Sequence, residues 1–158
     1  MQIPRRLWDS SVIIGYLTGQ VDIKTDCDQI IEQAERGELE IVVSTIAQGD
    51  VAYIPGKSVV ESESLIQEFF SRRYIVTAAV DIPLVRIVRR LIREHGAGLA
   101  AFDAIHVATA IQHKVPNIET TDPHLLRLDG KEGNPKIIIR RPKYQGPVKL
   151  NLFGSGAT

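Results

Sequence analysis

Leu7-Trp8-Asp9-Ser10-Ser11-Val12-Ile13-Ile14-Gly15-Tyr16-Leu17 decides the fold. From Ile3 the chain reads as a short strand that stops at Asp9. From Ser11 to Leu17 it reads as a short buried helix, closed near Gly19. A strand that passes into a helix across an acidic, hydroxyl-rich corner is the opening of a strand–helix–strand unit, and the rest of the chain repeats the alternation. Ile23, Cys27, Ile30, Ile31 and Ala34 recur at helical spacing, with Gly37 placed to end that helix. Leu39 to Ser44 is a β-branched run of strand length. The pattern then predicts a helix over 45–53, broken by Pro55-Gly56, and another carrying Val59, Ile66, Phe69 and Phe70. A strand over 74–77 follows. Asp81 is placed to cap a helix whose Leu84, Ile87, Val88, Leu91 and Ile92 face inward, and Gly96 and Gly98 end it. An apolar helix over 103–112 and strands over 118–121 and 136–139 complete the series.

Strands alternating with helices along 158 residues imply an α/β fold. The expected architecture is a single three-layer, Rossmann-like domain, a mostly parallel sheet of about five strands flanked by helices. The domain is expected over 1–140. The Pro- and Gly-containing stretch 141–158 is expected to be an extended tail, which Leu150, Leu152 and Phe153 could dock on the body.

Composition narrows the function classes. Apolar residues at 44% exclude a disordered chain, and 19 basic against 19 acidic residues exclude a histone-like polycation. A local basic stripe for phosphate contact stays open. Cys27 is the only cysteine, so an intrachain disulfide and a thiolate zinc cluster are both excluded. Asp9, Ser10 and Ser11 interrupt what would be the apolar part of a secretory signal, and no run approaches the roughly 18 apolar residues of a membrane-spanning helix. A cytoplasmic protein with no membrane partner is expected.

In open α/β sheets the ligand crevice lies beyond the carboxyl ends of the strands. Asp9, Asp103 and Asp122 all fall at such places. Carboxylates converging on one pocket repel each other, and some hold their protons unless a cation intervenes. A hard divalent cation such as Mg²⁺ or Mn²⁺ prefers oxygen ligands, and it suits phosphodiester chemistry by acidifying a bound water. Each aspartate also fits a plainer role as a helix N-cap, and Asp122-Pro123 is an especially good one. The two roles are compatible, since one carboxylate oxygen can serve each.

Three segments resemble the PIN domain, the metal-dependent nuclease fold of VapC-type toxins. Trp8-Asp9-Ser10-Ser11-Val12-Ile13-Ile14 is similar to the family's opening strand end. Phe102-Asp103-Ala104-Ile105-His106-Val107-Ala108-Thr109-Ala110 resembles its Asp-Ala-x-(His or similar)-x-Ala-x-Ala helix, and Thr120-Thr121-Asp122 its late (Thr/Ser)-x-Asp element. The likeness spans about Leu7 to Ile139. It implies a Rossmann-like sheet, single-stranded RNA as substrate, Mg²⁺ or Mn²⁺ as cofactor, and Asp9, Asp103 and Asp122 as catalytic metal ligands. It also implies a homodimer and a small antitoxin protein whose tail enters the acidic pocket. One position departs. Thr45-Ile46-Ala47-Gln48 puts glutamine where the family usually shows glutamate. Gln48 offers a neutral oxygen to the catalytic rim, so the site is one charge short. Asp50 is about 200° further around an ideal helix and is expected to face away.

The leading expectation is therefore a metal-dependent endoribonuclease, the toxin of a toxin–antitoxin pair. The alternative is a weakened module that binds RNA or protein, motivated by Gln48. A phosphotransferase with a Gly-rich phosphate loop has no counterpart in the sequence. Ser11, Thr120 and His106 are placed to orient the acids or touch substrate, although turn bonding and core packing fit them equally. Arg86, Arg89, Arg90 and Arg93 share one helix face and could hold RNA phosphates, or serve as a solvated face. Lys136, Arg140, Arg141 and Lys143 form a second basic run, and Trp8, Tyr16 and Tyr53 are candidates to stack on bases.

Overall fold

The computed structural model describes residues 2–146. Five strands form one sheet: β1 (Arg5–Trp8), β2 (Glu40–Ser44), β3 (Ile75–Ala78), β4 (Asn117–Glu119) and β5 (Ile138–Arg140). Their spatial order is β3-β2-β1-β4-β5, and every pair is parallel. The chain steps outward from β1 through β2 to β3, then returns to the other side of β1. The seam between β1 and β4 is thus the place where the winding reverses, which is where open α/β sheets bind their ligands, beyond the strand ends.

Among the described residues seven α-helices cover the two faces. On one lie α1 (Ser10–Thr18), α2 (Val21–Glu35), α3 (Thr45–Asp50) and α4 (Val59–Ser71). On the other lie α5 (Ile82–His95), α6 (Ala101–Gln112) and α7 (Pro123–Leu126). The period of two along each strand divides its residues between two cores. Leu7, Val42, Ile118 and Ile139 pack under α5 to α7, while Trp8, Ile41, Val43 and Ile75 pack under α1 to α4. Because both faces are covered, β2 reads as the unbroken apolar run Ile41-Val42-Val43.

Local chemistry places the helices. Ser58 and Glu61 form a reciprocal capping box at α4, and the Asp81 side chain caps α5. Gly19 ends α1 with φ 68°, a left-handed conformation that costs glycine nothing. Gly15 lets α1 approach α2, since a Cβ there would stand 2.6 Å from Ile23 Cδ1. Two expectations need correction. The helix predicted over 45–53 ends at Asp50, because the chain leaves the helical region at Val51 (ψ 75°), ahead of the Pro55-Gly56 turn. Asp103 is not a helix cap, because α6 begins earlier, at Ala101.

The first part of the expected tail packs on the body. Tyr144 joins the core under α2, its amide donates to Asp26 at 2.8 Å, and Arg141 pairs with Asp22. Leu150, Leu152 and Phe153 lie outside the described residues. Among the described residues no helix is long and apolar enough to cross a membrane.

Candidate active site

The site is built on the β1–β4 seam. Asp9 follows β1 and caps α1, its Oδ1 accepting from the Val12 amide at 3.1 Å and the Ser11 hydroxyl at 2.6 Å. Its Oδ2 accepts from the Thr120 hydroxyl, just past β4. Thr120 Oγ1 in turn accepts from the Asp122 amide at 2.9 Å, and Ser11 Oγ accepts from the Thr121 amide at 3.0 Å. The two hydroxyls stand 3.4 Å apart. Ser11 and Thr120 thus stitch two loops that are more than a hundred residues apart in sequence, and both hold the Asp9 carboxylate. Asp122 caps α7 through the His124 amide at 2.8 Å.

Asp103 has no such role. It sits in the first turn of α6, whose cap residue is Ala100, and its carboxylate has no hydrogen-bond or salt-bridge partner among the described residues. Its pKa rises to about 6, first through burial and then through the negative charges of Asp122, Asp9 and Asp50, with His124 opposing. Burial also raises the Asp9 pKa, against the pull of the Ser11 and Thr120 hydroxyls. Asp103 thus feels the charges of both Asp122 and Asp9, although the three carboxylates do not gather within 4.8 Å of one another. Among the described residues no Lys or Arg pairs with any of them.

The structure sets Gln48 apart from this group. Its amide donates to Thr77 of β3 at 3.1 Å, and it lines a separate cleft of about 520 Å³ with Glu63, Gln67 and Phe70. Asp50 is exposed, yet its charge reaches both Asp103 and His106. Gln48 faces β3, and Asp50 stands about 200° further around the helix, on the side from which its charge is felt at the acids. A carboxylate two residues beyond Gln48 was the available sequence signal.

His106 is 3% exposed, and its Nδ1 has no hydrogen-bond partner among the described residues. Burial lowers its pKa, and Asp9 and Asp50 oppose the shift. It belongs to the floor beneath the acids and bonds to none of them. Arg86, Arg89, Arg90 and Arg93 are all exposed on α5, but Arg90 is engaged with Glu94 at 2.8 Å and Glu132 at 3.5 Å. In the second basic run, Arg141 pairs with Asp22 and Lys136 bonds the Lys131 carbonyl, whereas Arg140 has two guanidinium nitrogens without a partner among the described residues. Trp8 is fully buried and Tyr16 is half-buried against Arg72, which leaves Tyr53, at 70% exposure, as the accessible ring of the three stacking candidates.

A second carboxylate group lies elsewhere. Potential ligand atoms of Glu94, His95 and Glu132 lie within 4.8 Å of one another. Here Arg90 reaches both carboxylates, and His95 Nε2 stands 2.7 Å from Glu132.

Comparison with known proteins follows this geometry. A family model described as PIN domain matches residues 7–131. Among solved structures, VapBC2 from Rickettsia felis, bound to a DNA fragment from their promoter, is similar at 13% identity with a TM-score of 0.64, over 87% of this chain and 98% of that one. FitAcB from Neisseria gonorrhoeae is similar at 20% identity with a TM-score of 0.55, over 87% of this chain and 97% of that one. At these identities the likeness is one of fold. A search of the curated proteins found no match.

Proposed function

The chain belongs to the PIN-domain family, and from that premise we propose that it is a metal-dependent endoribonuclease acting on single-stranded RNA. What supports the reading is that Asp103 feels the charges of Asp122 and Asp9 while, among the described residues, no Lys or Arg pairs with any of the three. Their donor set fits Mg²⁺ or Mn²⁺: all oxygens, in negative excess, with Asp103 free of any other partner. Asp9, Asp103 and Asp122 would hold the cation, with Asp50 adding the fourth charge. When bound, such a cation cancels the repulsion, polarises the phosphodiester and makes a water acidic enough to attack it.

The remaining residues prepare that pocket. Ser11 and Thr120 fix the rotamer of Asp9, and each still leaves its oxygens lone pairs for a ligand. His106 closes the floor against water. Arg86, Arg89 and Arg93, exposed on α5, are free to meet RNA phosphates. Asp50 restores the charge whose loss at Gln48 motivated the non-cutting alternative.

The toxin reading extends this. VapBC2 carries the name of the toxin class that the sequence resembles. A cytoplasmic homodimer, restrained by a small antitoxin whose tail enters the acidic pocket, accords with an anionic cleft that has no cation of its own. The test is RNA cleavage in Mn²⁺ by the full chain, Asp9→Asn and Asp103→Asn, with and without EDTA. Cleavage by the parent alone, abolished by EDTA, is expected. A parent that leaves every RNA intact, with EDTA without effect, would overturn the reading.

A further inference from the structure

Just beneath the acidic pocket lies a buried charge cluster that the proposed chemistry does not use. Glu119, at the end of β4, is fully buried. Its Oε1 accepts from Arg6 Nη1 and its Oε2 from Trp8 Nε1, both at 2.7 Å and both from β1. Arg6, 6% exposed, also donates to the Lys143 carbonyl at 2.9 Å. Arg140 of β5 stands in register with Glu119; burial raises the Glu119 pKa, and the charges of Arg6 and then Arg140 oppose the rise. One cation and an indole thus bind this carboxylate directly, with Arg140, whose Nε and Nη2 have no partner among the described residues, as a second cation close by.

Stability alone is a poor reason for such a cluster, since apolar replacements of buried ion pairs are often neutral or stabilising. Register is a better one. The β1–β4 seam is aligned over only two residue pairs, Leu7 with Ile118 and Trp8 with Glu119. The next backbone bond, from the Asp9 amide to the Glu119 carbonyl, is long at 3.4 Å. One residue further along each strand stand Asp9 and Thr120, whose side chains meet. A slip of one residue would turn those side chains to opposite faces.

We propose that Glu119 is a positioning residue for the acidic pocket: by gripping Trp8 and Arg6 it locks β1 onto β4 in the register that sets Asp9 against Thr120 and Asp122. The proposal rests on the metal-pocket reading above, but one of its two readouts does not. The first is the Thr120 hydroxyl proton in NMR spectra of the metal-free protein, protected from exchange in the parent by Asp9. The second is Mn²⁺ affinity from the EPR signal of free Mn²⁺. Two variants are compared with the full-length parent: Glu119→Gln, and the triple change Arg6→Met, Glu119→Leu, Arg140→Met, which removes the buried charges together so that none is stranded.

Both variants should unfold cooperatively, lose protection at Thr120 and bind Mn²⁺ more weakly, the triple variant by roughly tenfold, as expected when the support of a metal ligand is removed. Parental protection and parental affinity in a folded variant would overturn the proposal and leave Glu119 a packing residue. If the triple variant does not fold, Glu119→Gln decides by the same two readouts. A parent that binds no Mn²⁺ would sink the metal reading, and the Thr120 proton would then judge the register claim alone.

Discussion

Two groups of carboxylates in this molecule have opposite electrostatics. At Glu94, His95 and Glu132 the chain supplies its own cation, because Arg90 contacts both glutamates and His95 contacts one. At Asp9, Asp50, Asp103 and Asp122 no Lys or Arg pairs with the acids among the described residues, only His124 opposes the charge at Asp103, and the Asp103 pKa stands at about 6. The first group is complete as folded. The second is left, among the described residues, with an excess of negative charge that a bound cation would cancel. Proximity of acids is therefore a weak sign of a metal site, and the missing countercharge is the stronger one.

The largest expected effect breaks the contrast at its open end. Asp9→Asn and Asp103→Asn should each lower RNA cleavage by more than the ~100-fold typical of losing a ligand's supporting partner, measured as initial rates in Mn²⁺. Glu132→Gln attacks the closed group. It should cost about 2 kcal/mol, the worth of hydrogen bonds to charged groups, as read by urea unfolding, with cleavage rates unchanged. An equal loss of cleavage there would erase the distinction. Within the open group, Asp50→Asn should weaken Mn²⁺ binding about fivefold, the upper range for one solvent-facing charge. Gln48→Glu, which points to Thr77, should change it less than twofold.

The smallest effect is on stability without metal. Asp103 titrates at about 6 in the fold against an ordinary 3.8, so the folded state holds this proton longer than the unfolded chain does. Stability therefore falls as pH rises through that interval and stays lower above it. Asp103→Asn should raise the Tm of the metal-free protein at pH 7.5 by about 3 °C, equivalent to ~1 kcal/mol once solvent screening of a half-exposed group is allowed for. At pH 3.5 it should do nothing. Divalent-ion affinity should weaken below pH 6, where the proton competes.

The fold was legible because its signals are local. Unbroken β-branched runs such as Ile41-Val42-Val43, breakers such as Pro55-Gly56 and the Asp81 cap each mark an element within a few residues. The places of Asp9 just past β1 and Asp122 just past β4 were legible too, because a parallel sheet gathers strand ends, whereas Asp103 stands in the first turn of α6, which follows α5 and not a strand. Which of Gln48 and Asp50 lies nearer the acids was not legible, because it depends on the side of α3 that packs on β3. In a six-residue helix that choice is set by packing against β3, a tertiary fact. Glu119 gave no signal at all. A lone glutamate between Ile118 and Thr120 reads as exposed until Arg6 and Trp8 are seen across the seam.

The contrast between the two groups can be settled by one crystallographic measurement: anomalous difference density from a crystal grown or soaked in Mn²⁺. A peak within coordination distance of Asp9, Asp103 and Asp122, with none at Glu94, His95 and Glu132, is the predicted result. An empty acidic pocket beside an occupied Glu132 site would contradict it.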